Sequence, residues 1–349
     1  MNPFAKNLLA WFDIHGRSNL PWQHPRTPYR VWLSEVMLQQ TQVRTVIPYF
    51  ERFVLALPSL ADLAAAPQDR VLALWSGLGY YSRARNLQRC AQLCVERHNG
   101  ELPNNMEDLA ALPGIGRSTA AAILAQAHGE PHAILDGNVR RVLARYHGVH
   151  GWTGNSAVQK ELWKLAESHT PHKRVADYTQ AIMDLGALVC TRSKPRCSDC
   201  PLQKKCIAHR DNLTATLPHP KPGKQIPTRK LTMLIVRDKL GRILLERRPP
   251  TGIWARLWSL PEGDDLAEAS HAIADHASMT SDRLSLLPEF SHAFSHYRLN
   301  VTPMLLQIES PETRVADTPD RGWFAHHELA ELGLPAPVRK LLASLPQDV

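Results

Sequence analysis

What these 349 residues lack already narrows the field. No apolar run approaches the ~20 residues that a membrane-spanning helix needs. The stretch from Met1 to Trp11 has no long apolar leader core. Both absences point to a cytoplasmic protein. Cysteine is scarce, six in all, and four of the six crowd into residues 190–206. A disulfide framework would spread them in pairs through a small secreted chain, whereas a metal site needs them close together. There is no internal repeat and no long low-complexity tract. Acid is in shorter supply than base, 33 Asp and Glu against 41 Lys and Arg, giving a net charge of +8. Such a balance suits an anionic partner, nucleic acid first and a membrane surface second, although a mild excess also serves solubility.

The stretch Leu112–Thr119, with Pro113, Gly114 and Gly116, joins two alanine- and leucine-rich segments that read as short helices, Glu107–Leu112 and Thr119–Gln126. Glycines allow a tight turn, and their N–H groups together with the next helix N-terminus can hold one phosphate without reading sequence. A plain packing corner uses the same punctuation. Asp136 favours the functional reading: an acid after the strand-like run Ile134–Leu135, followed by Gly137, which permits close approach.

Residues 3–65 carry apolar side chains at helical spacing. In their midst Glu35 stands among apolar neighbours, with Ser34 as a candidate cap and Val36, Val43 and Ile47 as an apolar stripe. Burial raises a carboxylic acid's pKa, the condition a general acid needs at neutral pH; a solvated helix glutamate is the plainer alternative. Gln39, Gln40, Thr41 and Gln42 form a polar block able to meet base edges or simply water. Residues 68–100 continue helical around the turn Gly77–Arg85, where Tyr80 and Tyr81 beside basic groups suit wedging into a base stack. Cys90 and Cys94, four apart, read as packing residues. Helices resume over 139–188, with a loop at Trp152–Gly154. Cys190, Cys197, Cys200 and Cys206 then offer four thiolates, which on spacing alone suit zinc or a [4Fe–4S] cluster. Arg192, Lys194, Arg196, Lys204 and Lys205 surround them. Residues 214–228 carry four prolines and read as part of a linker. Beyond it, Leu231–Arg237 and Ile243–Arg248 form a hairpin, Phe294–Thr302 another extended run, and Glu328–Ala343 an amphipathic helix.

In order along the chain, LPW (20–22), WLSEVMLQQTQV (32–43), GLGYYSRARNL (77–87), LPGIGRSTA (112–120), LDGNV (135–139) and the four cysteines resemble the helix-hairpin-helix DNA glycosylase superfamily. The likeness is closest to MutY-type adenine DNA glycosylases, and residues 229–349 are similar to that family's Nudix-like C-terminal domain. The resemblance implies a multi-domain chain: an all-α helix-hairpin-helix core (1–210) with a four-cysteine cluster loop, a proline-rich linker (211–228), and an α+β Nudix-like domain (229–349) that recognises 8-oxoguanine. It implies a [4Fe–4S] cluster on Cys190, Cys197, Cys200 and Cys206. The implied activity is excision of adenine opposite 8-oxoguanine or guanine in duplex DNA, by a monomer associated with the nucleoid through DNA. Glu35 falls at the general acid, Asp136 at the catalytic aspartate, and Asn138 assists it. Leu20, Trp22, Gln23, Val43 and Gln180 would line the adenine pocket. Gln40 and Tyr80 would wedge the duplex, while Gly114, Gly116 and Ser118 would meet the backbone. Phe294, Ser295 and His296 would contact 8-oxoguanine.

Two departures sharpen the expectation. Relatives resembling endonuclease III carry a Schiff-base lysine where this chain has Ser118, which implies a monofunctional glycosylase and argues against a glycosylase/lyase. The pattern G-x5-E-x7-R-E-x-x-E-E of a Nudix hydrolase, begun at Gly263, meets Ala269, Ser278 and Ser281 where glutamates belong and Ala277 where the arginine belongs, which argues against a nucleotide hydrolase. A non-enzymatic iron–sulfur or zinc DNA-binding protein remains as the alternative in which Glu35 and Asp136 are structural.

Overall fold

Side-chain caps and apolar spacing set the helices of the chain's first part. In the computed structural model, which describes residues 1–223, 226–270, 284–294, 297–308 and 318–345, these are α1 (Pro3–His15), α2 (Pro28–Leu38), α3 (Val43–Ala56), α4 (Leu60–Ala65), α5 (Gln68–Trp75), α6 (Ser82–Arg97), α7 (Met106–Ala111), α8 (Arg117–Ile123), α9 (Gly137–His147), α10 (Ser156–His169), α11 (Val175–Asp184) and α12 (Ile207–Arg210). Asn2, Thr27, Asn105, Asp136 and Asn155 each accept an orphan backbone N–H at a helix start, which stabilises each by about 1 kcal/mol. Ser34 is not a cap. It lies inside α2, and its hydroxyl donates back to the Val31 carbonyl at 2.8 Å. The run Ile134–Leu135 is buried and extended but pairs with no strand among the described residues.

Two compact units result. The first comprises Met1–Ala65 and Asn86–Gly223, the second Ala66–Arg85 and Lys224–Val349. Both differ from the sequence-based boundaries for a physical reason. Residues 211–223 stay with the helical unit because Leu217 is buried and its carbonyl accepts from Arg145 Nε at 2.8 Å. The segment 66–85 goes with the C-terminal chain because Leu72 of α5 is buried so close to Gly333 that a Cβ there would lie 2.6 Å from the leucine's own.

The core of the first unit gathers Leu8 and Phe12 of α1, Leu143 of α9, Ile182 of α11 and the pair Ile134–Leu135. Helices α8 and α11 each run on into a single π-helical turn, Leu124–His128 and Leu185–Val189. Such bulges re-aim side chains locally; here they carry Gln126 and lead into Cys190. Cys90 and Cys94 are fully buried on α6, as packing residues.

In the second unit one mixed sheet contains β1 (Thr228–Arg237), β2 (Ile243–Arg247), β3 (Trp258–Ser259), β4 (Glu262–Gly263), β5 (Leu284–Leu286), β6 (Phe290–Ala293), β7 (Arg298–Gln307) and β8 (Arg321–Phe324). The expected hairpin is present: β1 and β2 are antiparallel, with Arg237 opposite Ile243. β1 also runs parallel to β7 over ten paired positions, a long-range pairing that the hairpin signal does not announce. α13 (Leu266–Ala269) and α14 (Ala336–Ala343) complete the unit. The single amphipathic helix expected over Glu328–Ala343 is instead a 3-10 turn, His326–Glu331, and α14, because Pro335 cannot continue a helix and becomes the N-cap of the second. Among the described residues no helix is long and apolar enough to cross a membrane.

Candidate active site and cysteine loop

Asp136 is the N-cap of α9. Its Oδ1 accepts the Val139 N–H at 2.8 Å, and its Oδ2 accepts from Asn138 Nδ2 at 3.3 Å. A carboxylate here faces the positive end of the helix dipole and meets two donors, both of which favour the anion. Its pKa is raised overall: burial pushes it up, and Val139, Arg141 and Asn138 offset only part of the rise.

Glu35, on α2, is partly buried. Its Oε1 accepts from Gln126 Nε2 at 3.1 Å. Burial lifts its pKa to about 7; the nearby Asp136 charge raises it further, and the Gln126 bond opposes both. Two carboxyls thus share one electrostatic environment in which burial raises both, Glu35 to about 7, while the donors on Asp136 favour its anion and offset part of its rise. An acid–carboxylate pair requires environments that differ in this sense, with donors gathered on the group that acts as the anion. Gln126, 5 % exposed, escaped sequence reasoning because it ends an alanine-rich helix that looked like plain packing.

Behind Asp136 lies a relay of hydrogen bonds. Asn138 Oδ1 accepts from Arg141 Nη2 at 2.8 Å, and Arg141 also donates to the Gly186 carbonyl at 2.6 Å and the Cys190 carbonyl at 2.6 Å. Gly186 must be glycine: a Cβ would stand 2.6 Å from the Asn138 Cβ. The hairpin is joined to the same place, because Ser118 Oγ accepts the Leu135 N–H at 2.9 Å. Gly114 turns with φ +79°, and Gly116 is the N-cap of α8 and has no side chain to accept the helix's first N–H groups.

Leu20, Trp22 and Gln23 are buried together in a short 3-10 turn, where Gln23 Oε1 accepts the Leu20 N–H at 2.9 Å and its Nε2 donates to the Arg17 carbonyl at 2.9 Å. Trp22 packs edge-on to Phe50. Gln180 is buried and donates to Asp184, 0 % exposed, which also takes three hydrogen bonds from Arg17. Sequence spacing gave no sign of this Arg17–Asp184 pair, whose members lie 167 residues apart. Val43 is half-buried at the start of α3. Gln40 is exposed with φ +60°, in the link between α2 and α3. In the second unit Tyr80 is 48 % exposed with φ +49°. Phe294 stacks on Tyr297 with ring centroids 4.7 Å apart; Ser295 and His296 lie outside the described residues.

All four cysteines of the loop are free and line one cavity with Val142, Tyr146 and Arg145. Arg145, 2 % exposed, brings its guanidinium 3.4 Å from Cys190 Sγ and spends its other donors on the Thr191, Arg192 and Leu217 carbonyls. Burial and the neighbouring thiols raise Cys200 to about 12. A buried cation against four thiols fits a group bound through thiolates, which would supply the missing negative charge. No three ligating side chains among the described residues converge on a single-ion site, so the donors line a space rather than a point. Arg192, Lys194, Arg196, Lys204 and Lys205 are exposed around it. In the second unit Ala269 is buried, and the other three positions where a Nudix hydrolase carries glutamates lie outside the described residues.

A helical hairpin unit holding an acid and a carboxylate, followed by a mixed-sheet domain, defines a base-excision DNA repair protein with a Nudix-type appendage. Comparison agrees: residues 33–168 match the HhH-GPD superfamily base excision DNA repair protein model, and residues 232–344 match the NUDIX domain model. An adenine DNA glycosylase of Buchnera aphidicola (subsp. Schizaphis graminum) is 36% identical over 339 residues, covering 97% of each chain. That of Rattus norvegicus is 34% identical over 397 residues, covering 97% of this chain and 77% of the relative. The chain belongs to the adenine DNA glycosylase family. Among solved structures, a thermostable thymine-DNA glycosylase superimposes with TM-score 0.55 at 29% identity, covering 60% of this chain and 95% of that one. An endonuclease III–DNA complex, at TM-score 0.52 and 23% identity, shares the fold over 60% of this chain.

Proposed function

We propose that this base-excision glycosylase removes adenine mispaired with 8-oxoguanine, or with guanine, from duplex DNA and leaves an abasic site without cutting the strand. The observation that carries the reading is Glu35, its pKa lifted by burial to about 7, near an Asp136 carboxylate that accepts the Val139 N–H at the start of α9. Adenine is a poor leaving group, so Glu35 protonates N7 as the bond from C1′ to N9 breaks and its electrons pass to the base. The Asp136 carboxylate stabilises the oxocarbenium-like sugar, or adds to C1′, with Asn138 fixing its orientation. Water then adds at C1′ and returns a proton to Glu35. Ser118, committed to the Leu135 N–H, offers no amine for an imine, so the reaction stops at the abasic site.

The target must first leave the stack, at a cost of a few kcal/mol that is least at a mispair. Gln40 and Tyr80 wedge the duplex; Leu20, Trp22, Gln23, Val43 and Gln180 line the adenine pocket; Gly114, Gly116 and Ser118 bring the hairpin against the backbone. The C-terminal domain reads the opposite base through Phe294, Ser295 and His296. Cys190, Cys197, Cys200 and Cys206 would hold one [4Fe–4S] cluster, which would tie together the loop that presents the basic side chains.

The test is single-turnover base release from adenine:8-oxoguanine and adenine:guanine duplexes, with breaks counted before and after alkali. Wild type should give alkali-dependent breaks, Glu35→Gln and Asp136→Asn should lose at least about 10²-fold in rate, and Ser295→Ala with His296→Ala should narrow the gap between the two duplexes. Binding without release by wild type would overturn the reading, and strand breaks without alkali would overturn its monofunctional part.

A further inference from the structure

Tyr80 is an awkward residue to present. Its φ of +49° lies in the left-handed region, between Gly77 at +105° and Gly79 at +72° on one side and α6 on the other. A non-glycine residue held there costs of order 1 kcal/mol, and it persists only if its surroundings over-determine it. Part of the hold is local. The Trp75 indole N–H donates to the Gly79 carbonyl at 3.1 Å, and Arg83 donates to the Leu78 and Gly79 carbonyls at 3.2 and 3.1 Å.

The rest comes from the C-terminal chain, inside the same compact unit. Both flanks of the turn reach one acceptor: Ser76 Oγ donates to the Leu334 carbonyl at 3.2 Å, and the Tyr81 hydroxyl donates to it at 2.9 Å. Arg339 of α14 braces this point, donating to Ser76 Oγ at 3.1 Å and to the Leu332 carbonyl at 2.8 Å. On either side Arg247 makes a two-pronged bond to Asp69 at 2.9 and 2.8 Å, and Arg85 donates to the Ala255 carbonyl at 2.7 Å. The turn is thus fastened at both ends by a part of the chain whose Leu334 carbonyl lies 253 residues beyond Tyr81.

We propose that the C-terminal domain is the clamp that keeps Tyr80 in wedging geometry, with Ser76, Tyr81 and Arg339 as the positioning residues that transmit its hold. This rests on the reading of Tyr80 as the wedge. The domain then has a duty separate from reading the opposite base. A wedge must push against stacked bases, and a turn free to relax would give way before the stack does; fixing it beforehand removes that loss. The clamp also places recognition and wedging within one compact unit.

The experiment uses the full-length chain, an adenine:guanine duplex with 2-aminopurine beside the adenine, and saturating enzyme, reading the fluorescence gain on unstacking alongside single-turnover release. Tyr80→Ala and the double variant Ser76→Ala/Tyr81→Phe should each reduce unstacking and release roughly tenfold, and the triple variant should be no worse than either, because coupled residues are non-additive. Arg339→Ala should fall part of the way, with recovery in Arg339→Lys. Melting curves check folding; should the double variant unfold, Arg339→Ala in the Tyr80→Ala background supplies the same additivity test. Full unstacking in the double variant, or an added loss in the triple, overturns the clamp. Full unstacking by Tyr80→Ala overturns the wedge reading, and the clamp with it.

Discussion

Glu35 has to keep a proton that Asp136 must lose, and Gln126 sits on the balance between them. The glutamate's pKa is raised to about 7, with burial the largest cause and Asp136 the second, so its protonated fraction falls above that value. An acid catalyst acts only when protonated; kcat/KM should therefore be flat below about pH 7 on this limb and fall about tenfold per unit above it. The Gln126 amide donates to the carboxylate and lowers the pKa. Gln126→Leu should move the falling limb to higher pH, and an unmoved limb would show that Gln126 does not tune the acid. The same shift has a sign for stability. A carboxyl whose folded pKa exceeds its unfolded value is least costly while protonated in both states, and it loses stability as pH rises from the unfolded value, near 4.5, through about 7. A glutamine at 35 escapes that loss, so the inactive variant should melt later than wild type above pH 7.

At the scale of elements, the site is made where α9 starts and where two π-turns interrupt otherwise regular helices. The sequence announces Asp136 and its Asn138 partner, because an acid before Gly137 and a helical run is a cap signature. It announces Glu35 as an acid in apolar company, and the four cysteines by their clustering. It announces neither π-turn, since one extra residue in a helical turn leaves the apolar period almost unchanged. Gln126 and the position of Gly186 are therefore invisible in it, as is Arg141, whose partners in the second π-turn and the cysteine loop are 45 and 49 residues away. Nor does any local signal tell that Ala66–Arg85 packs with the C-terminal chain, because α5 is an ordinary amphipathic helix whose partner only the fold supplies. Gly186 tests how tightly the elements fit. Gly186→Ala should cost about 1–3 kcal/mol of stability through overpacking. It should also displace Asn138 and slow base release by at least about tenfold, since a small misplacement at a reacting centre is costly. Unchanged single-turnover release in a folded Gly186→Ala protein would mean that Asn138 has room to spare and that the relay behind Asp136 is not needed for chemistry.

Across the whole molecule, excess positive charge becomes useful only where something holds it in register, and the cysteine loop is the strongest case. Arg192, Lys194, Arg196, Lys204 and Lys205 are exposed on a stretch with only two short 3-10 turns of its own, Cys197–Asp199 and Gln203–Lys205. What can order the loop is the four-thiol cavity and the buried Arg145 behind Cys190. If a cluster bound there acts as a staple, Cys200→Ser should purify with little iron or acid-labile sulfide. Its duplex binding should weaken, and the slope of log affinity against log salt should fall by about one for each DNA phosphate that the loop no longer neutralises. The Glu35–Asp136 pair should suffer less, because Asp136 is anchored as the N-cap of α9 and, among the described residues, its hydrogen bonds lead to the loop through Asn138 and Arg141. Base release at saturating enzyme should then drop less than affinity does. Iron retained in Cys200→Ser would remove that cysteine from the ligand set. Iron lost with an unchanged salt slope would mean the loop cations do not touch DNA, leaving the cluster to stabilise the fold alone.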